Sequence, residues 1–423
     1  MLNRISVHLL MLFCASLALY SAGTARGVTQ GDSGDFLLAG LTLGIAHAPG
    51  YPLYTLLAHA FSKLCFFLDP PHAINLLSAG FAAATLALHF LCSIELGLGV
   101  GSAWAGALAL GFATPFWRHA GVAEVYTLQS LLIVTLLYLA LRARSETQMR
   151  IKLAFWLLVG LGVSNHYPLT LLSLAGILPL VSAKKSDLAS WAKASPAVLL
   201  GLTPYAYLLI QAARGPQLQY NFSHLSSPSQ VWSHFLRTDY QYETAARAGV
   251  WADRAKLFLN LVWSTVGALQ LPALCIPLGA WAWLRDRRSG RRFATTFLIG
   301  ATSTSVLLLL LLSFPDTARA RAHLEDFTFP VFIFLSFFVA RSWSLWTPRV
   351  AIALFLMLTA QAVFNFPKTW QRGNHISELW ARATLASVQP GSILVLCGPE
   401  AFAYAFVHDY RGFRPDVTIY DHY

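Results

Sequence analysis

Asp32 and Asp35 stand three residues apart in the run Gly31-Asp32-Ser33-Gly34-Asp35. His47 follows in Gly44-Ile45-Ala46-His47-Ala48-Pro49-Gly50-Tyr51-Pro52. Two carboxylates and an imidazole this close can accept, hold or pass protons. Glycines at 31 and 34 permit backbone that other residues avoid, and Pro49-Gly50 with Pro52 reads as a tight turn. Most other charges in the chain end an apolar run, where membrane orientation accounts for them. Asp32 and Asp35 have no cationic flank to answer, which makes them the first candidates for chemistry. Helix capping is the alternative, with Asp32 as N-cap and Asp35 in the first turn of a helix through residues 36–43.

These residues must be positioned by an apolar frame. The chain has 423 residues, 56% hydrophobic and 12% charged. A soluble domain carries about 25% charged residues, so this is a polytopic membrane protein, all-α in its spanning part. The net charge of +11 gathers in short loops between apolar runs, a topological signature, and nucleic acid is not indicated. The five cysteines show no CxxC spacing and no paired histidine, so neither a zinc site nor a disulfide framework is expected.

Residues 5–22 read as a cleaved signal or a retained first span, and retention suits the multi-span chain behind it. Either way the first outer loop, residues 23–72, lies outside the cytoplasm. Within it, 53–68 is too short to span comfortably and reads as an interfacial helix. Spans are expected at 74–94, 102–116, 125–141, 196–210, 257–284, 293–313, 327–340 and 351–364. A broken pair, 154–163 and 169–181, flanks Ser164-Asn165-His166-Tyr167-Pro168. The total is about eleven passes, with every Lys/Arg-rich loop on one side. From residue 367 the pattern changes to a helix (377–387), a strand (393–396), a helix (401–411) and a strand (417–420), a small extracytoplasmic α/β appendage. Residues 1–366 and 367–423 are thus expected as two domains. The appendage has no G-x-G-x-x-G, so no Rossmann nucleotide site is expected. Asn221-Phe222-Ser223 is a glycosylation sequon in an outer loop.

The stretch from Gly31 to Tyr54 resembles the protein O-mannosyltransferase-like membrane family, whose fold is of the multi-span GT-C type. Trp117 to Tyr126 and Asn165-His166 are similar to further segments of that family. The resemblance implies an inverting glycosyltransferase that moves a sugar, mannose in the family, from a polyprenyl-phosphate donor to a Ser/Thr hydroxyl of an exported protein. The implied setting is a cell inner membrane, with the site facing away from the cytoplasm. Such a reaction needs a base, groups to meet the leaving phosphate and a site that excludes water. Asp32 is then the preferred base and Asp35 the alternative or its partner. Donor or substrate contacts are expected from His47, Tyr51, Arg118, His119, Glu124, Asn165, His166, Arg237, Arg319, Arg321 and His323. One phosphate can be met by Arg and His, so no metal or other cofactor is expected.

Three positions depart from the family pattern. Asp35 stands where Glu is usual. Gln211, after Pro204-Tyr205-Ala206-Tyr207-Leu208, and Asp326, before Phe327-Thr328-Phe329-Pro330, stand where Arg is usual. Arg214, Arg319 or Arg321 would then substitute. Two other readings remain open at this point: a flippase or transporter for a lipid-linked sugar or small solute, and a non-catalytic scaffold for surface assembly.

Overall fold

The structure, a computed structural model, describes residues 2–144, 148–181, 185–215, 220–222, 224–238, 251–286, 288–311, 325–396, 398 and 400–421. The first half holds α1 (Leu2–Gly23), α2 (Ser33–Thr42), α3 (Pro52–Leu64), α4 (Pro70–Glu95), α5 (Val100–Gly111), α6 (Thr114–Ala120), α7 (Val125–Arg142) and α8 (Met149–Ile177). After these come α9 (Lys185–Ala194), α10 (Ala197–Gly201), α11 (Pro204–Arg214) and α12 (Pro228–Phe235). The bundle closes with α13 (Trp251–Leu269), α14 (Cys275–Arg285), α15 (Arg288–Leu311), α16 (Phe329–Trp343) and α17 (Pro348–Thr369). Proline sits in the first turn of α3, α4, α6, α11, α12, α16 and α17. There its missing N–H has no helical partner to lose, and its fixed φ starts the helix.

Among the described residues, six helical runs are long and apolar enough to cross a membrane: Arg4–Gly23, Pro70–Glu95, Val125–Arg142, Met149–Leu180, Leu188–Arg214 and Val350–Thr369. Large apolar side chains face outward along them, among them Leu10, Leu199, Phe355 and Phe364. That suits contact with lipid and not with water. Val100–Gly111 and Phe329–Trp343 are shorter apolar helices. By length alone the count stays below the expected eleven. One expected span is corrected outright. The return over 257–284 is not straight: α13 and α14 meet at a 112° bend. Gln270 leaves helical geometry there (φ 53°, ψ −134°), and Pro272 follows it. Proline cannot donate to the preceding turn and clashes with it, so the helix ends at this point.

The expected break in α8 is present. His166 departs from helical geometry (φ −151°, ψ 88°) two residues before Pro168. The bend is sharp, since a Cβ on Gly162 would lie 2.8 Å from the Thr170 hydroxyl. In a straight helix residues eight apart are about 12 Å apart. Both arms return to one end of the bundle. The first begins just after α7, and the second ends at Pro179, which lines a common cavity with Arg144 and Arg292. The apex at Asn165 and His166 is therefore thrust toward the opposite end.

That opposite end carries the acids. α7 runs from its N-cap Glu124, which feels the charges of Asp32 and Asp35, to Arg142, which pairs with Glu95 at 3.1 Å. Arg341 pairs with Asp286 at 2.8 Å at the Arg end as well. The basic turns thus collect about 27 Å from the acidic loop, the length of α7. Behind α1, Asn75 donates to the carbonyls of Ala25 and Gly27 at 3.1 and 3.0 Å. The Ala25 N–H donates to Gly121 at 2.8 Å. These bonds fix the segment that leads into the acid run.

After α17 the chain forms α18 (Ile376–Ser387), β1 (Ile393–Leu396), α19 (Ala401–Ala405) and β2 (Thr418–Asp421). The strands pair in parallel, Ile393 opposite Thr418 and Leu396 opposite Asp421. A parallel pair needs a crossover, which α19 supplies. Arg411 forks onto Asp69, just ahead of α4, at 2.9 and 3.3 Å.

Candidate active site

Asp35 lies in the first turn of α2 and is fully buried. Its Oδ2 accepts from the backbone N–H of His47 at 3.1 Å and lies 2.5 Å from His47 Nδ1. Its Oδ1 accepts from the Tyr220 hydroxyl at 2.6 Å. Asp35 therefore organises the loop that carries His47. Two non-glycine residues in left-handed conformation, Leu43 and Tyr51, bracket that loop, and Gly50 takes φ 92°. Such backbone persists only where its surroundings over-determine it. Here Tyr207 donates to the Gly44 carbonyl at 2.5 Å, and the His234 ring meets the Ala46 carbonyl at 3.0 Å. Ile45 pairs with Asn221, and that pairing delivers Tyr220 to Asp35.

The outer nitrogen of His47 faces Asp32 at 3.7 Å. Burial works against a charged ring, but the carboxylates of Asp32 and Asp35 and the bond to Asp35 outweigh it. His47 is held above the ordinary imidazole value, with Arg237 pulling the other way. The capping alternative fails for Asp32. It occupies the N-cap position of α2, yet its side chain makes no capping bond. Its carboxylate is 32% exposed where that of Asp35 is closed off, so Asp32 is the acid open to an incoming group. Gly31 adopts φ 75°, as its type suggests. Gly34 is required for another reason: a Cβ there would lie 2.7 Å from the Phe402 Cβ and 2.9 Å from its carbonyl oxygen.

From His47 an arc of rings crosses to the other expected residues. Tyr51 lies 5.0 Å from His47 and 5.8 Å from His166. Tyr126 lies 5.8 Å from His166 and 5.1 Å from His119. His166 Nδ1 accepts from the Leu169 N–H at 3.4 Å, so the neutral ring carries its proton on Nε2. Asn165, beside it, donates to the Val125 carbonyl at 3.2 Å and to Gln129 at 3.0 Å. Four atoms along this arc are buried with no partner among the described residues: His166 Nε2, Asn165 Oδ1, Glu124 Oε2 and His119 Nδ1. A buried polar atom left unpaired costs about 1–3 kcal/mol, so four together mark a place where a polar ligand belongs.

Glu124 stands at the head of α7. Burial first, then the neighbouring charges of Asp32 and Asp326, push its carboxyl well above the usual range, with Arg118 opposing. The surroundings thus favour its neutral, protonated form over the carboxylate. Arg118 and His119 are both engaged. Both reach Asp326 Oδ1, at 3.1 and 2.8 Å. The departure at position 326 thus has a structural consequence: the aspartate engages two residues expected to meet phosphate. Arg237 acts electrostatically on His47. Arg319, Arg321 and His323 lie outside the described residues. Arg214 donates to Gln211 at 3.3 Å.

The sequence reading missed Tyr220, Asp326 as a partner and Phe402. The Phe402 ring stacks on His47 with centroids 6.5 Å apart and lies 5.7 Å from Phe222, closing over the acid loop. No local signal marks Phe402, since its role depends on contact across the whole chain. Among the described residues no group of three or more His, Cys, Asp or Glu is arranged to hold a metal ion.

This frame, with an acidic loop and broken-helix apex at one end of a helical bundle, is a GT-C-like polytopic membrane fold. Over 97% of this chain and 89% of the other, it matches the crystal structure of ArnT from Cupriavidus metallidurans bound to undecaprenyl phosphate, with TM-score 0.61 and 14% identity. It also matches the Archaeoglobus fulgidus oligosaccharyltransferase over 97% of this chain and 62% of that one, with TM-score 0.55 and 10% identity. Within that fold, residues 32–190 match the family model for the Protein O-mannosyl-transferase TMEM260 N-terminal domain. The resemblance seen at Gly31–Tyr54 holds, and the match begins at Asp32. The chain is 27% identical to Protein O-mannosyl-transferase TMEM260 of Mus musculus over 97% of its own length and 62% of the mouse protein. It is 24% identical to Protein O-mannosyl-transferase tmem260 of Dictyostelium discoideum over 55% of its length and 30% of that protein. It thus spans less than two thirds of the length of these curated relatives.

Proposed function

We propose that this protein is a membrane glycosyltransferase. It moves a sugar, mannose by its relatives' names, from a polyprenyl-phosphate donor to a Ser/Thr hydroxyl of an exported protein, with inversion. The observation that carries this reading is the open carboxylate of Asp32, 3.7 Å from a His47 anchored by Asp35, beside an arc of unpartnered buried polar atoms. The acceptor oxygen bonds to the anomeric carbon as the bond from that carbon to the phosphate oxygen breaks. The electron pair leaves with the phosphate, and the acceptor proton passes to Asp32. His47 and Asp35 position that carboxylate. Arg237 meets the phosphate, joined by Arg118 and His119 when they exchange Asp326 for it, and Glu124 in its neutral form offers a hydrogen bond to a substrate oxygen. His166 Nε2–H and Asn165 Oδ1 are suited to sugar hydroxyls, and Tyr51 to a sugar face. A single phosphate leaving group needs no metal under this scheme. We assign the acid end to the face away from the cytoplasm of a cell inner membrane, because the basic turns gather at the other end.

The test is transfer in proteoliposomes from radiolabelled polyprenyl-phosphate mannose to a Ser/Thr-rich peptide. Label on the peptide supports the reading. Donor crossing the bilayer with no label on any peptide would favour the flippase reading.

A further inference from the structure

The Arg end of the bundle holds a cavity of about 750 Å³ between α7, the end of α8 and the start of α15. Arg144, Pro179, Arg291, Arg292, Thr295 and Ile299 line it. Three guanidiniums border this space, and among the described residues its lining includes no carboxylate. Neighbouring arginines at the same end do have acidic partners: Arg142 has Glu95 and Arg341 has Asp286. Among the described residues, the lining arginines are held by groups without net charge. Arg292 donates to the carbonyls of Pro179, at 2.8 Å, and Val181, at 3.1 Å. Arg291 donates to the Leu284 carbonyl at 3.0 Å, and Arg144 lies 4.7 Å above the Phe293 ring. Desolvation and then the nearness of Arg292 pull the basicity of Arg144 down. Orientation in a membrane needs basic residues in the loop, but it does not need them pre-positioned around one cavity. Beside the cavity, Leu178, Leu298 and Ile299 expose apolar side chains.

We propose that this cavity binds the phosphate headgroup of an anionic membrane lipid, with its acyl chains along Leu178, Leu298 and Ile299. Basic pockets between spanning helices suit such headgroups. The site is separate from the acid loop, and its test reads lipid retention, not sugar transfer.

The experiment is native mass spectrometry of the full chain in detergent. The probes are dioleoylphosphatidylglycerol, dioleoylphosphatidylcholine and inorganic phosphate. Phosphatidylglycerol is expected to be retained over phosphatidylcholine, and inorganic phosphate is expected to bind far more weakly. Arg144→Gln should weaken phosphatidylglycerol binding by about fivefold or more, the effect of one basic residue at a membrane surface. Arg144→Lys should retain most of the binding. Arg285→Gln, at the same end but outside the lining, should leave it unchanged. Equal losses in Arg144→Gln and Arg285→Gln would assign the effect to diffuse loop charge and overturn the proposal. Equal retention of the two lipids, or free phosphate binding as well as the lipid, would overturn it too.

Discussion

The Nδ1 of His47 lies 2.5 Å from the Oδ2 of Asp35. This contact closes the loop between α2 and α3 and turns the other ring nitrogen toward Asp32. The two aspartates of the acid run therefore differ in role: one is buried and positions the imidazole, and the other stays open.

The pH dependence of stability follows from His47. Its raised value means that the contribution of its charged form is complete below the ordinary imidazole range, near pH 6.5, and is lost as pH rises through the higher value. His47→Gln should cost about 3 kcal/mol on the acid side, because it breaks a buried charge pair. Thermal unfolding of both proteins between about pH 5.5 and 9 should show the gap shrinking toward the alkaline end.

Donor affinity should respond with opposite signs to the two partners in one ion pair. Arg118→Gln removes a cation that the proposed function assigns to the donor phosphate, and should raise the donor KM by about tenfold. Asp326→Asn frees Arg118 and His119 from their shared carboxylate and should lower the donor KM. Steady-state kinetics with a polyprenyl-phosphate sugar reads both. A rise in donor KM in both variants would mean that the pair holds structure and does not meet the donor.

Burial, and then Asp32 and Asp326, shift Glu124 toward its protonated form. Glu124→Gln should therefore change kcat by less than about threefold, whereas losing a working base costs about 10²–10⁴-fold. At high pH the wild type should decline as Glu124 ionises, and the Gln variant should not follow it. A pH–rate profile of the two proteins checks this.

Gly34 touches the C-terminal segment through its backbone. Gly34→Ala would set a methyl group 2.9 Å from the Phe402 carbonyl and should destabilise the protein by about 1–3 kcal/mol. Adding Phe402→Ala should not rescue it, since the backbone carbonyl and the Cβ remain. Thermal unfolding of the single and double variants decides this.

The acid run, His47, the Asn165-His166 break and the collection of basic turns at one end were legible in the sequence, because each is set by residues close together in the chain. Pro168 after a polar pair announces a break. Gln270-Leu271-Pro272 carries the same kind of signal for the 112° bend, but the apolar run on either side of that proline hides it. What stayed hidden depends on distant contacts. Tyr220 reaches Asp35 across 185 residues, and Asp326 reaches Arg118 across 208. No period or spacing records such partners. The tilt of His47 between two carboxylates depends on a loop whose shape is set by Tyr207 and His234.

The most direct measurement is sugar transfer by Asp32→Asn, reconstituted and compared with wild type and with Asp35→Asn at matched insertion and folding. Loss of the base should lower kcat in Asp32→Asn by about 10²–10⁴-fold with donor binding retained. Asp35→Asn, which only disturbs positioning, should lose about 10–100-fold. Transfer at the wild-type rate by Asp32→Asn, with donor bound normally, would contradict the assignment of that carboxylate as the group that takes the acceptor proton.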